Sequence, residues 1–420
     1  MKSFNIDSLI KKLPNFIRKR IENRDTVKKV TANIGWLFFD KFLKMSLGMV
    51  VGMMVARYLE PEKYGIWNYA IAFSSLFGAV ATLGIDRIAV REIVSKPDRH
   101  NELLGTLFVL RLIAGLAIVL LSTVIVYVIK GGDLYITVIV ALCSFSYVFQ
   151  AVMVVDYFYQ AELKCKYTVY AQNAAFLLIA VIKIILIIVK APLVAFIISG
   201  MGEVLLGSIL IVITYFKNGR NTFKWRYSKI LAINFLKDSW PYIISSIAGA
   251  VYMRIDQVMI GNMLDQKAVG IYSAAVKISE IWFFVPMGIV ASLFPSIIKS
   301  RSLGEKVYLS RMQKTCDFLT LFGVVVAVCI GFFCNVIVAI LYGDAYAQAG
   351  PVLSLHVWTG AVICLGATGG IWIAAENLQI VTIVKTLAGA ITNVSLNLWW
   401  IPLYMEESIF MQSIADWPKV

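Results

Sequence analysis

The stretch LGTLFVLRLIAGLAIVLLSTVIVYVI, residues 104–129, carries a single ionisable side chain, Arg111. A helix needs about 20 apolar residues to cross the hydrocarbon core of a bilayer. This stretch supplies them with residues to spare. Similar blocks recur along the chain, separated by short polar stretches, at roughly 31–57, 64–85, 104–129, 134–157, 168–189, 192–216, 239–262, 268–298, 315–341, 351–375 and 381–403. Inside lipid the backbone must satisfy its own hydrogen bonds, so each block is expected to be a helix. The fold class is therefore an all-α membrane protein of about 11 transmembrane helices.

Composition agrees. Hydrophobic residues make up 60% of the 420 and charged residues only 15%; ordinary soluble domains have about 45–50% and 25%. A soluble fold of this length has nowhere to hide that much apolar surface. The net charge of +14 would suggest nucleic acid in a soluble chain. Here it reads as topological bias. With the N-terminus in the cytoplasm, the inside segments are 1–30, 86–103, 158–167, 217–238, 299–314 and 376–380. They hold 26 of the 39 Lys and Arg, against five in outside loops and tail and eight within spans. The positive-inside rule then orients the chain. The outside loops are too short to hold a catalytic domain. The six cysteines form no CxxC pair and read as small hydrophobes. Residues 1–30 lack the compact apolar core of a cleavable signal.

Five regions are expected. Residues 1–30 place Ile6, Leu9, Ile10, Leu13 and Ile17 at helical spacing among basic residues, which suits a helix lying on an anionic membrane surface. Residues 31–216 hold spans one to six. The basic loop 217–238 links them to spans seven to eleven at 239–403, and 404–420 form a tail. The two halves share a spacing. Leu59-Glu60, Gly65-Ile66 and Ala70 align with Leu264-Asp265, Gly270-Ile271 and Ala275. Each half begins inside, so this is a parallel repeat of the kind from which many carriers are built.

Ionisable groups inside spans are costly and mark cavities or partners. Span one has Asp40, Lys41 and Lys44, with Gly48 and Gly52 continuing the Asp40–Lys44 face. That face is either a functional polar stripe or an intrahelical ion pair beside close helix packing through the glycines. Span seven has Arg254 and Asp256, two residues apart and so on opposite faces. Arg254 is too deep to snorkel easily and reads as a cation facing a cavity; Asp256 is then free to bond a neighbouring helix. In span eight Lys277 and Glu280 share a face, as a pair or as cavity lining. Asp86, Arg87 and Arg111 lie near the inner interface. Arg57, Lys183 and Lys385 sit near span ends, where snorkelling is expected. Asp156 and Glu203 are isolated acids, and His356 stands alone in its span. Pro286 and Pro295 can kink span eight. No GxxxxGK[ST], GxSxG, HExxH or paired CxxC occurs, which argues against an ATPase or other enzyme and leaves no cofactor or metal to place.

Several motifs taken in order resemble the polysaccharide flippase (Wzx) family. They are Trp36-Leu37-Phe38-Phe39-Asp40-Lys41, the run Val55-Ala56-Arg57-Tyr58-Leu59-Glu60-Pro61-Glu62-Lys63-Tyr64-Gly65, Ala81-Thr82-Leu83-Gly84-Ile85-Asp86 and Val90-Arg91-Glu92. In the second half, Arg254-Ile255-Asp256-Gln257-Val258-Met259-Ile260-Gly261 and Val269-Gly270-Ile271-Tyr272-Ser273-Ala274-Ala275 follow. The resemblance spans about 31–404. It implies two six-helix bundles around a central cavity, normally twelve spans in all, as in the wider multidrug and oligosaccharidyl-lipid exporters. It implies a multi-pass protein of the bacterial inner membrane that moves undecaprenyl-pyrophosphate-linked repeat units to the periplasmic leaflet for O-antigen or capsule assembly. Its partners would be the lipid-linked oligosaccharide, membrane lipids, a polymerase and a chain-length regulator, without nucleic acid. Cations in the cavity lower the cost of carrying an anionic pyrophosphate. Arg254, Lys41, Lys44 and Lys277 are the candidates, with Arg87 and Arg111 nearer the inner face. Asp40, Asp86, Asp256 and Glu280 are candidate coupling or helix-pairing acids, and Trp36, Trp282 and Phe283 candidate sugar-stacking aromatics. After Tyr404 the chain departs from the family pattern: the 16 remaining residues are too few and too polar for a twelfth span. The rivals are another lipid-linked precursor flippase, a drug–cation antiporter of the same superfamily, and a membrane glycosyltransferase or polymerase.

Overall fold

A computed structural model describes residues 25–415, residue 377 excepted. The arm expected over 1–30 lies outside the described residues as far as residue 24. The elements in chain order are α1 (Asp25–Ala81), α2 (Asp86–Ser95), α3 (His100–Ile129), α4 (Leu134–Gln150), α5 (Val154–Ala161), α6 (Lys166–Ile188), α7 (Leu193–Lys217) and α8 (Lys229–Met263). Then come α9 (Gln266–Glu280), α10 (Phe284–Ser300), α11 (Glu305–Phe332), α12 (Cys334–Tyr342), α13 (Ala349–His356), α14 (Trp358–Ala375) and α15 (Gln379–Ala415). No strand occurs among the described residues. Among the described residues, nine helical stretches, from Pro97–Ile129 to Ile380–Leu403, are long and apolar enough to cross a membrane. They correspond to the third through eleventh spans read from the sequence. The first two fall within α1. This is a multi-pass α-helical membrane protein.

Prolines decide where several helices break. Glu60 precedes Pro61 and leaves helical space, at φ 60° and ψ 168°, because the proline ring disfavours the α conformation of the residue before it. That break divides α1 into its two expected spans. Pro286 has no N–H to offer the carbonyl of Trp282, four residues earlier. The chain tightens into a 3-10 turn at Ile281–Phe283 between α9 and α10, which places the kink of span eight. A break without proline separates α4 from α5, a 3-10 turn at Ala151–Met153. There the Ser208 hydroxyl donates to the Phe149 carbonyl at 2.9 Å and takes up an acceptor left at the end of α4. Helix α15 continues through Ala415 and carries Pro402 inside it.

The chain packs as two compact units of interleaved segments. The first comprises 1–51, 80–121 and 141–243. Its core joins Ile85, Leu103, Leu107, Val155, Tyr159 and Tyr215. Gly84 turns the chain between α1 and α2 at φ +59°, and a Cβ there would stand 2.7 Å from that of Tyr242. Helices α6 and α7 form a tight hairpin, turned through Lys190 at φ 53°. The second unit comprises 52–79, 122–140 and 244–420. Trp282, Leu319 and Cys364 form one of its cores and Ile297, Tyr308 and Ile371 another. In both units large apolar side chains face outward: Val128 is 71% exposed, Ile188 73% and Val362 67%. Such a surface suits lipid rather than water.

Candidate functional site

Within the second unit the candidate charges of spans seven and eight come together. Arg254 lies in the last third of α8, nine residues before its end. Its guanidinium reaches Glu280 of α9 at 3.8 Å, with the two side chains 36% and 25% exposed. That distance is too long for a hydrogen bond, so the guanidinium donors are not used up by the carboxylate. Lys277 shares the Glu280 face and lies within electrostatic reach of both Arg254 and Glu280. It is exposed, yet its ammonium donates to the Tyr64 hydroxyl at 2.7 Å and stands 4.7 Å over that ring. Tyr64 itself is buried. Two cations and one acid therefore share a small patch, with the Arg254 guanidinium the accessible one and the Lys277 ammonium turned to Tyr64.

The opposite face of α8 carries a different arrangement. The Asp256 carboxylate accepts from the Tyr272 hydroxyl at 2.9 Å and from the Asn397 amide at 2.7 Å. Asn397 in turn donates to Asn393. Asp256 thus ties α8 to α9 and α15, the neighbour-helix role expected of it. His356 is not alone. Its Nδ1 meets the Ser279 hydroxyl at 2.7 Å, and its ring lies edge-on to Tyr272. The spacing in sequence, 77 residues from Ser279, gave no signal of this pairing.

In the first unit the tyrosine of α5 bridges two candidates. Arg111 Nη1 donates to the Tyr157 hydroxyl at 2.9 Å, and that hydroxyl donates to Asp86. Arg111 and Tyr157 are both buried. Arg111 is thus not a free cation at the inner interface. It is a packing group held by a partner 46 residues away, which no local spacing reveals. Asp86 is exposed and serves as the far end of the same bridge. Asp40 and Lys44 do form the intrahelical ion pair, at 2.8 Å. The glycines beyond them are not points of close approach: Gly48 has ordinary contact with Phe176 and Gly52 has none within 4 Å. Lys41 is exposed. The side chain of Arg87 lies outside the described residues.

Other expectations need correction. Lys183 and Glu203 are neither snorkelling nor isolated; they pair at 3.2 Å across the α6–α7 hairpin. Arg57 does not snorkel. It donates to the carbonyls of Leu341 at 3.0 Å, Ala339 and Ile340, the last turn of α12, where a cation complements the helix dipole. Asp156 accepts from Gln160 on its own helix. Trp282 is a packing residue, since a Cβ on Gly360 would come within 2.1 Å of it. Trp36 sits edge-on to Tyr170. Among the described residues no group of three or more His, Cys, Asp and Glu converges as a metal site.

Residues 30–301 match the family described as "Polysaccharide biosynthesis protein". The capsular polysaccharide biosynthesis protein CapF of Staphylococcus aureus is 20% identical over 334 residues, 76% of this chain and 79% of that one. Among solved structures, an inward-facing multidrug resistance MATE family transporter of the MOP superfamily superposes with a TM-score of 0.61 at 13% identity, over 86% of this chain and 95% of that one. At that identity the likeness is one of fold, and it agrees with the all-α membrane architecture read from the sequence. With well over half of its length inside the family match, the chain belongs to the polysaccharide biosynthesis protein family.

Proposed function

We propose that this protein is a flippase for a lipid-linked oligosaccharide and works by alternating access. The substrate joins a polyprenyl tail to polar sugars through an anionic pyrophosphate, as in undecaprenyl-linked repeat units for O-antigen or capsule. The tail can stay in lipid while the charged linkage needs a protein partner. The observation that carries the reading is Arg254, an accessible guanidinium inside the seventh span whose acid lies at 3.8 Å. Its fork of donors matches phosphate oxygens bidentately, and Lys277 adds a second positive charge. The N-terminus lies on the cytoplasmic side in this reading, following the Lys and Arg distribution. A polymerase and a chain-length regulator would take the product. An antiporter for cationic drugs would need unpaired acids. The one acid at this site, Glu280, lies beside two cations, Arg254 and Lys277, and Asp256 on the other face of α8 holds two hydrogen bonds.

Complementation tests this. In a flippase-deficient strain the wild-type chain should restore surface polysaccharide. Arg254→Ala should reduce it severely while the protein accumulates in the membrane, and Arg254→Lys should restore only part. Normal polymer with Arg254→Ala would remove Arg254 from the binding site. Failure of the wild-type chain across several repeat-unit chemistries would argue against the flippase reading itself.

A further inference from the structure

The internal repeat seen in the sequence meets itself in space. Pro61 aligns with Gln266 and Gly65 with Gly270. A Cβ on Gly65 would stand 1.6 Å from the Gln266 carbonyl oxygen, and a Cβ on Gly270 would stand 1.9 Å from the Pro61 carbonyl oxygen. Each repeat thus presents its glycine to the backbone of the other, a reciprocal contact of the kind a local two-fold axis produces. Only glycine permits so close an approach.

Further contacts knit the same helix ends, and every hydrogen bond among them has one partner from each half of the chain. Tyr346 donates to the Ala56 carbonyl at 2.8 Å. Tyr69 donates to Asn262 at 2.9 Å. Lys130 donates to the Gly261 carbonyl at 2.5 Å and stands 4.7 Å over the Tyr69 ring. Arg57 caps α12. Buried side chains close around the glycines, Leu59, Tyr64, Val269 and Ala274 among them, so a Cβ at either one has no space to enter.

We propose that the Gly65–Gly270 contact is a releasable latch, closed in this structure, that must part for the helix ends 60–65 and 264–270 to separate during transport. The proposal rests on the transporter reading above, since a carrier that alternates must break one end open. In the proposed orientation these ends face outward. A side chain at either glycine prevents closure and shifts the population toward the open form.

The test uses the full-length chain with its six native cysteines replaced by serine and spin labels at Glu62→Cys and Lys267→Cys. Two distance populations are expected, the shorter one dominant. Gly65→Ala or Gly270→Ala should move at least tenfold more of the protein into the longer one; Gly200→Ala, which has nothing within 4 Å, should leave the distribution unchanged. A single short distance in the glycine-containing chain overturns the latch, whether or not the alanine variants assemble. Unchanged distributions in both alanine variants overturn it too. The distances are read without substrate, so two populations alongside failed complementation would refute the polysaccharide reading and leave the latch standing.

Discussion

Removing one oxygen atom, by Tyr157→Phe, separates structural from functional cations. The Tyr157 hydroxyl accepts from Arg111 at 2.9 Å and donates to Asp86. Hydrogen bonds to charged groups contribute about 1.5–3 kcal/mol in proteins, and measured values across membrane helices average nearer about 0.6 kcal/mol. The two ends of the bridge differ. Asp86 is exposed, so water replaces the lost donor at small cost. Arg111 is 6% exposed, so its guanidinium is left short of an acceptor in a place water does not reach freely. The loss should therefore come almost wholly from the arginine end, about 2 kcal/mol, or roughly a thirtyfold shift in the folded ratio. Reversible unfolding of the purified protein by titration with a denaturing detergent reads this directly. Surface polysaccharide in the complemented strain should stay near wild type, because Arg111 packs rather than binds. A Tyr157→Phe protein within about 0.3 kcal/mol of wild type would refute the buried-bridge account. So would an unchanged stability together with lost transport, which would return Arg111 to the substrate path.

The Lys183–Glu203 pair joins α6 to α7 with side chains 16% and 32% exposed; Glu203→Leu alone should cost about 2 kcal/mol by stranding the lysine, and adding Lys183→Met should recover most of it. Gly360→Ala drives a methyl to 2.1 Å from Trp282 and should lower stability by about 1–3 kcal/mol. Gly370→Ala, with open space around it, should be neutral or stabilise by up to about 1 kcal/mol in the same detergent titration. In the polar segment 86–103, the Lys96 ammonium 2.7 Å away holds the Glu92 carboxyl below its usual range. Its folded value lies below its unfolded one, so the pair stabilises above the ordinary carboxylate range and the contribution is lost as pH falls through the folded value. Glu92→Gln should therefore cost at most about 0.5 kcal/mol at pH 7 and nothing once both forms are protonated. A difference that grows on acidification would reverse that sign.

Apolar blocks and their spacing located the spans because lipid allows only helices there. Pro286 showed where span eight breaks because the missing N–H acts locally, whereas the helix Phe284–Ser300 runs on through position 295. Charges at short spacing were partly legible: of the two arrangements open to Asp40 and Lys44, the structure shows the ion pair, whereas Lys277, which shares the face of Glu280, bonds Tyr64. Partners at long range were not. Tyr157 reaches Arg111 across 46 residues, Ser279 reaches His356 across 77, and Arg57 reaches α12 across nearly 300. Nothing in helical periodicity encodes those distances. The repeat was visible as a spacing, but its physical meaning, glycine pressed on backbone, needed three dimensions.

In the proposed function the chain carries an anionic lipid-linked sugar past the membrane core with Arg254 as its principal partner. Reconstitution into liposomes tests it most directly. A polyprenyl-pyrophosphate-linked oligosaccharide placed in one leaflet is followed by its accessibility to an added glycosidase or lectin. The wild-type protein should move it to the other leaflet at a rate proportional to protein. Arg254→Ala should be at least tenfold slower at equal helical content. Protein-containing liposomes that behave like empty ones, or Arg254→Ala transporting at the wild-type rate, would contradict the account.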